Sequence, residues 1–473
     1  MTMLRDFLDC SENTAHLFSG LYVESSPVFS KVNKYPVIYV SFKDLELPVF
    51  REVFAEEINN QLNRYLKPEQ YPGELREHLE NPNEFGYRLL KDATKILYTV
   101  YKIKPFVLID EYDWLIMNNI HNPQLENIRN FVKSTLSVAL KDNSYLGKAV
   151  LTGVNRLVHE SIFSGLNNLD VYDVFYKSVY DSDFGLTENE VKELCTDEEA
   201  VQAKLWYNNY RIGNEKLYFT FSIMSYLKRG KLMNYWARSG VMDSIREFVT
   251  FPRFEVITQL VNGFGKETFT TTLGDRLSVE DILTFNQDSV FYSFLVQVGY
   301  LTFDETDVPE EYNIYLPNLE LQRVWRDFIL GVFEKTATSM KDIFKNMNYK
   351  IRFEAELKTL LDNKLSYFDV DKIEPEKTYH VFVLGMAVSV GYDCVSNRES
   401  GRGRYDLLVK LPNSYIIFEF KKAEAYEQME DKALEALAQI DKKKYGSELT
   451  DGLPVHKVGI GFCMKECVVR LEE

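Results

Sequence analysis

The sequence predicts an α/β protein in three parts: an amino-terminal parallel sheet over 1–180, a mostly helical middle over 181–335, and a smaller α/β unit over 341–473. Three observations carry this reading. Short apolar runs alternate with helical patterns in the first third, helical patterns dominate from about Asp181, and strand–helix alternation returns near the end. A length of 473 residues also suits about three domains. No Gly/Pro linker marks the last boundary.

YPVIYVSF (35–42) is a run of apolar, aromatic and β-branched residues and predicts a central strand. Helical stretches follow near Leu47–Tyr65 and Glu84–Tyr101. PFVLIDE (105–111) predicts a second buried strand that ends in two acids. A helix over Leu125–Leu140 leads to a third strand, KAVLTG (148–153). Strands separated by helices of this length are joined by crossovers, which makes the sheet parallel. In the middle, Thr187 with Glu190 three residues on forms a capping box that opens a helix. VGYLTF (298–303) reads as a strand, followed by an acidic loop, DETDVPEE.

The last part predicts helices over Tyr349–Leu365 and Glu376–Val388, then strands near Tyr392–Ser396 and Tyr405–Leu411. SYIIFEFK (414–421) is a further strand, followed by a long helix over Ala425–Lys444 and a strand HKVGIGFC (456–463).

A net charge of −16 excludes coating of nucleic acid or of an anionic membrane by bulk charge, while a local basic site stays compatible with it. The 14% of aromatic residues supply a large core and exclude disorder as the main state. Five cysteines without a paired framework or a C-x-x-C predict free or buried thiols. The longest nearly apolar stretch, Val381 to Gly391, is too short to span a bilayer, and MTMLRDFLDC has no signal-peptide character. The expectation is an intracellular protein with no membrane association, with cytoplasm and nucleus left open.

The most informative text is NRESGRGRYDLLVK followed by IIFEFKK. Asp406 opens one strand, and Glu419 and Lys421 lie on the next. Strand side chains alternate, so Glu419 and Lys421 share a face. A short LPNS connection allows a hairpin that brings Asp406 to both. Two carboxylates and an ammonium on one face suit metal-assisted phosphodiester hydrolysis. The acids hold a hard divalent cation such as Mg²⁺, and the lysine orients water and offsets developing charge. The bland alternative is an edge strand whose charges merely face solvent. This pattern resembles the PD-(D/E)XK nuclease superfamily, whose restriction-endonuclease-like core carries D…E-x-K on adjacent strands. The resemblance adds Glu376 on the preceding helix to Asp406 and Glu419 as metal-site acids, places Lys421 at the attacking water, and makes Gln439 a supporting group, with Tyr445 on the same following helix. Tyr405 stands in place of the motif's Pro, which many members also lack. Glu399, Tyr379 and His380 also match the family text, His380 as a packed residue. Arg398, Arg402, Arg404 and Lys422 form a basic rim that would contact phosphates, or else a solvated loop.

VLIDEYD (107–113) ends in Asp110-Glu111, the Walker B arrangement of P-loop NTPases, in which Asp110 would hold Mg²⁺ and Glu111 would polarise water. TGVNR (152–156) puts Arg156 where a γ-phosphate sensor would lie. No G-x-x-x-x-G-K-[S/T] occurs, so a phosphate cradle has no evident source. YPVIYVSFKD, VLIDEYD, LTGVNR, SIFSGLNNL, FGLTENEV, LWYNNYRIG, GYLTF and LPNLE together resemble the AAA-ATPase-like family, whose members join an NTPase module to a PD-(D/E)XK domain. Asn208-Asn209 departs from the family's Asp-Gly, and YFTFS from its N-P-W-S-like turn. In the family, a first strand and P-loop would precede MTMLRDFLDC. The resemblance therefore implies a truncated P-loop NTPase-like sheet or a decayed copy with a dead ATPase site, with ATP a cofactor only if an upstream P-loop exists, and a sheet edge left exposed. The expected function is a Mg²⁺-dependent nuclease acting on nucleic acid of unresolved type. Its rivals are a non-enzymatic regulatory or interaction protein and a fragment of an intact NTPase-nuclease. A homo-oligomer or a protein partner is left open.

Overall fold

The structure is a computed structural model. It describes residues 1–154, 168–236, 245, 248–249, 251–262, 268–332, 337–346, 349–364, 375–396, 399–400, 403–447, 449–464 and 466–472. Contacts divide the chain into two compact units, Met1–Tyr176 with Leu273–Gly299, and Lys177–Thr272 with Tyr300–Glu473. The segment 181–335 is thus shared between them. No helix among the described residues is long and apolar enough to cross a membrane.

The first unit is built on a three-stranded parallel sheet in the order β1 (Val37–Ser41), β2 (Phe106–Asp110), β3 (Lys148–Leu151). Val37 stands against Phe106, and Phe106 against Lys148. Before β1 comes α1 (Thr2–Leu8); α2 (Phe50–Asn63) and α3 (Leu89–Tyr101) lie in the first crossover and α4 (Leu125–Leu140) in the second. Val107, Leu108 and Ile109 are fully buried, as a strand covered on both faces requires. The outer edge of β1 is tied down at its start: the Tyr35 N–H donates to the Leu8 carbonyl at 2.9 Å, and the Cys10 N–H donates to the Tyr35 carbonyl at 2.9 Å. Buried Asp9 anchors this segment by accepting from Tyr65 Oη at 2.5 Å and Arg64 at 2.6 Å. At the other edge, no strand pairs with the outer side of β3 among the described residues.

In the second unit, Thr187 and Glu190 do form a capping box, each accepting from the other's backbone N–H, at 3.3 Å and 2.8 Å. Such a cap stabilises a helix start by about 1 kcal/mol. α5 (Asp197–Tyr207) leads into a hairpin of β4 (Tyr210–Ile212) and β5 (Glu215–Leu217). Asn209 has φ +72°, the left-handed region that Gly favours and Asn tolerates, so Asn fits where the resembled family tends to have Gly. Further on are α6 (Phe251–Asn262) and an antiparallel sheet in the order β6 (Phe269–Thr272), β8 (Glu311–Tyr315), β7 (Thr302–Glu305). DETDVPEE is therefore largely the turn of the β7–β8 hairpin. α7 (Leu319–Val332) follows.

The carboxyl-terminal part holds α8 (Lys350–Lys364), α9 (Pro375–Ser389), β9 (Asp393–Ser396), a small hairpin of β10 (Glu399–Ser400) and β11 (Gly403–Arg404), β12 (Leu407–Lys410), β13 (Tyr415–Lys422), α10 (Met429–Lys443), β14 (Val455–Cys463) and β15 (Glu466–Glu472). The main sheet runs β15-β14-β13-β12-β9, parallel only between β13 and β14. Phe418 and Phe420 turn toward the α9 side, where Phe420 meets His380 and Phe418 meets Phe344. Residues 419 and 421 turn to the α10 side. Both outer strands are capped by side chains: Glu354 of α8 accepts the Leu471 N–H at 2.8 Å, and Asn262 of α6 pairs with the Cys394 backbone. Such capping blocks edge-to-edge association.

Candidate functional site

The hairpin of β12 and β13 places Leu407 opposite Phe418, and one step further carries Asp406 opposite Glu419. Asp406 is fixed there by accepting the Phe420 backbone N–H at 2.8 Å. Glu419 is 1% exposed, an unusual burial for a carboxylate. Its Oε1 accepts from Gln439 Nε2 of α10 and lies 3.3 Å from Lys421 Nζ. Gln439 also reaches Tyr445 Oη at 3.3 Å. The other oxygen, Glu419 Oε2, is buried without a hydrogen-bond partner. An unpartnered carboxylate oxygen away from water is costly unless something cationic or protic meets it.

The electrostatics agree with that need. Burial and the charge of Asp406 push Glu419 up to about 7, against the pull of Lys421. Asp406 is raised by burial, opposed by the Phe420 N–H and Lys421. Glu376, in the first turn of α9, is raised by burial and by Asp406. Lys421 is held above its ordinary value: burial acts downward, but Glu419, Glu376 and Asp406 outweigh it. Three acids thus share one ammonium, and each would be relieved by a further positive charge.

Among the described residues, no three His, Cys, Asp or Glu side chains gather closely enough to chelate a metal ion as they stand. Glu376, Asp406 and Glu419 are an electrostatic neighbourhood here and not a formed ligand set. Asp406, Glu419, Lys421, Gln439 and Tyr445 are brought together. His380 is packed: burial lowers it to about 4, and its Nε2 lies 2.9 Å from Ser396 Oγ. Tyr379 Oη donates to the Met464 carbonyl at 3.2 Å and its ring stacks on Phe462. Arg404 and Lys422 are exposed; Arg398, Arg402 and the side chain of Glu399 lie outside the described residues.

Residues 374–472 match the family described as PD-(D/E)XK nuclease superfamily, and residues 1–163 match the one described as predicted AAA-ATPase. The chain joins an AAA-ATPase-like region to a PD-(D/E)XK nuclease-superfamily region. A protein of Azotobacter chroococcum mcd 1, "Uncharacterized protein in vnfD 5'region", is 25% identical over 468 residues, which cover 94% of this chain and 84% of that protein. No solved structure matches.

In the AAA-ATPase-like region, Asp110 closes β2 with both oxygens engaged, one by Thr152 Oγ1 and the other by Tyr39 Oη at 3.3 Å. Glu111 follows at φ +51°, and its carboxylate lies 3.7 Å from Lys43 Nζ. Arg156 lies outside the described residues. Sequence reasoning named neither Thr152 nor Lys43 as partners of these acids. It also passed over Gly459 and Gly461, although their alternation in VGIG was a visible sign of a close approach.

Proposed function

We propose that the PD-(D/E)XK nuclease-superfamily region, assigned to 341–473, hydrolyses phosphodiester bonds in nucleic acid with Mg²⁺. The observation that carries this is the buried Glu419 whose Oε1 is held by Gln439 and Lys421 while Oε2 has no partner, beside Asp406. Asp406 and Glu419 would hold the ion, with Glu376 as the third acid. When bound, Mg²⁺ would polarise the phosphoryl oxygen and lower the pKa of water to supply a nucleophile. Gln439 fixes the rotation of the Glu419 carboxylate, so that Oε2 stays the open acceptor. Lys421, 21% exposed, reaches from the same face to solvent and supplies positive charge where the phosphate gains negative charge. Arg404 and Lys422 would contact the backbone of the substrate.

The amino-terminal module, assigned to 1–180 and followed by a middle at 181–335, is read as lacking ATP turnover in this polypeptide. Its Asp110 and Glu111 occupy Walker B positions without a phosphate loop among the 473 residues. The test is cleavage of single- and double-stranded DNA and of RNA by the full chain with Mg²⁺, Mn²⁺ or EDTA, beside Asp406→Asn. Metal-dependent cutting lost in the variant is expected. Cutting that resists EDTA or survives Asp406→Asn would remove the assignment, and no cutting of any substrate by folded protein would favour a non-enzymatic scaffold.

A further inference from the structure

We infer that α6, which lies outside the segment matching the nuclease superfamily, is a positioning element of the carboxyl-terminal site: Glu255 fixes the first turn of α9, and with it Glu376, while Asn262 fixes β9 beside the Asp406 strand. The inference rests on reading Glu376 as a member of that site.

Glu376 has a weak local hold. It lies in the first helical turn, where backbone N–H groups lack intrahelical partners and helices fray. Its place must come from contacts made by the turn itself. Lys377, the next residue, makes one of them: its Nζ lies 3.1 Å from Glu255 Oε2. Glu255 is itself buried and receives Gln259 Nε2 on its other oxygen at 3.3 Å. A pair with one largely desolvated partner is screened less than a surface pair.

At the far end of α6, the Asn262 side chain acts as a substitute strand. Its Oδ1 accepts the Cys394 N–H at 2.8 Å, and its Nδ2 donates to the Cys394 carbonyl. Cys394 stands against Val409 of β12, and Ser396 against Leu407, the neighbour of Asp406. Seven residues of helix, roughly 10 Å, separate Glu255 from Asn262. α6 also packs against α9. One rigid rod therefore holds the turn that carries Glu376 and the strand that flanks Asp406, and sets the spacing between two acids that come from different elements.

The experiment is hydrogen exchange of the full chain, comparing wild type with Glu255→Gln, Lys377→Gln and the double variant, and following 378–386 with 456–462 of β14 as the internal control. Each single variant should speed exchange in 378–386 by roughly threefold to fivefold, the range of a part-exposed ion pair. The control should not change, and the double variant should be slower than the product of the two single effects, because the two residues share a contact. Apparent Mn²⁺ affinity by titration calorimetry should weaken by a similar factor. Unchanged exchange in 378–386, an equal rise in 456–462, or faster exchange with unaltered Mn²⁺ affinity would each overturn the inference. Wild-type protein that binds no Mn²⁺ would instead overturn the metal reading, and the exchange data would then decide the tether alone.

Discussion

Glu419 stands opposite Gly459 in the parallel register of β13 and β14, so β14 places no side chain directly beside the buried carboxylate. Gly461 repeats the arrangement opposite Lys421. A Cβ at 459 would collide with the Ala433 carbonyl and lie 3.0 Å from the Leu437 nitrogen. One at 461 would meet the Met429 carbonyl and lie 2.7 Å from the Ala433 nitrogen. α10 therefore rests on the strand backbone, and from that depth Gln439 reaches Glu419.

Gly459→Ala should lift α10. The clash is with main-chain atoms, which cannot swing aside, so a cost of about 1–3 kcal/mol is expected, the usual range for overpacking. Urea unfolding of the full chain would register it as a lower midpoint. An unaltered midpoint would mean that the helix has room to spare and that the glycines do not set its depth.

Glu419 gives the metal-free protein a pH dependence whose sign is fixed. Its carboxyl is raised to about 7 in the folded state from an ordinary 4.5, so the unfolded chain releases the proton first as pH rises. Stability is fully present below about 4.5, is lost as pH climbs through 7, and is level above; the total is about 3 kcal/mol. Glu376 and Asp406, also raised, act in the same direction. Melting in EDTA between pH 5 and 8 should show this decline in wild type and much less of it in Glu419→Gln. Parallel curves for the two proteins would contradict the assignment.

The parts of the site legible in the sequence were those set by local periodicity. YIIFEFKK alternates apolar with charged residues at its end, which puts Glu419 and Lys421 on one face without reference to the rest of the chain. Asp406 was legible because a short turn between two apolar runs forces a hairpin. The α6 contacts were not, since Asn262 meets Cys394 across more than a hundred positions and neither residue stands in a pattern. β15, ECVVRLE, was missed because its polar residues alternate with apolar ones at an edge, where a strand resembles a charged tail. FTTT and EYNIY fall in the stretch read as mostly helical, and only the pairing of β6 with β8 shows them to be strands.

The amino-terminal acids lead to an expectation of no ATP turnover. Asp110 is held by Thr152 and Tyr39, Glu111 faces Lys43, and none of these supplies the backbone N–H cradle that phosphates need. Phosphate release from Mg²⁺–ATP should match the buffer blank and should not respond to Glu111→Gln. Hydrolysis abolished by that variant would mean that an unrecognised phosphate loop exists in the chain.

Lys421 and Asp406 should fail in different ways. Asp406 is partly buried, accepts the Phe420 N–H and raises the carboxyls around it, so under the proposed function Asp406→Asn would remove a charge that the cation would need while keeping the shape. Metal affinity and cleavage should fall together. Lys421 is the opposite case. Its ammonium offsets the acids, so Lys421→Met removes a competitor for them, and Mn²⁺ should bind as tightly or more tightly. Cleavage should still drop, by about a hundredfold or more, because the positive group proposed to face the developing charge would be gone. Calorimetry with Mn²⁺ separates the two roles. Weaker Mn²⁺ binding in Lys421→Met would show that the lysine supports the acids instead of serving the reacting phosphate, and the division of labour within the site would have to be redrawn.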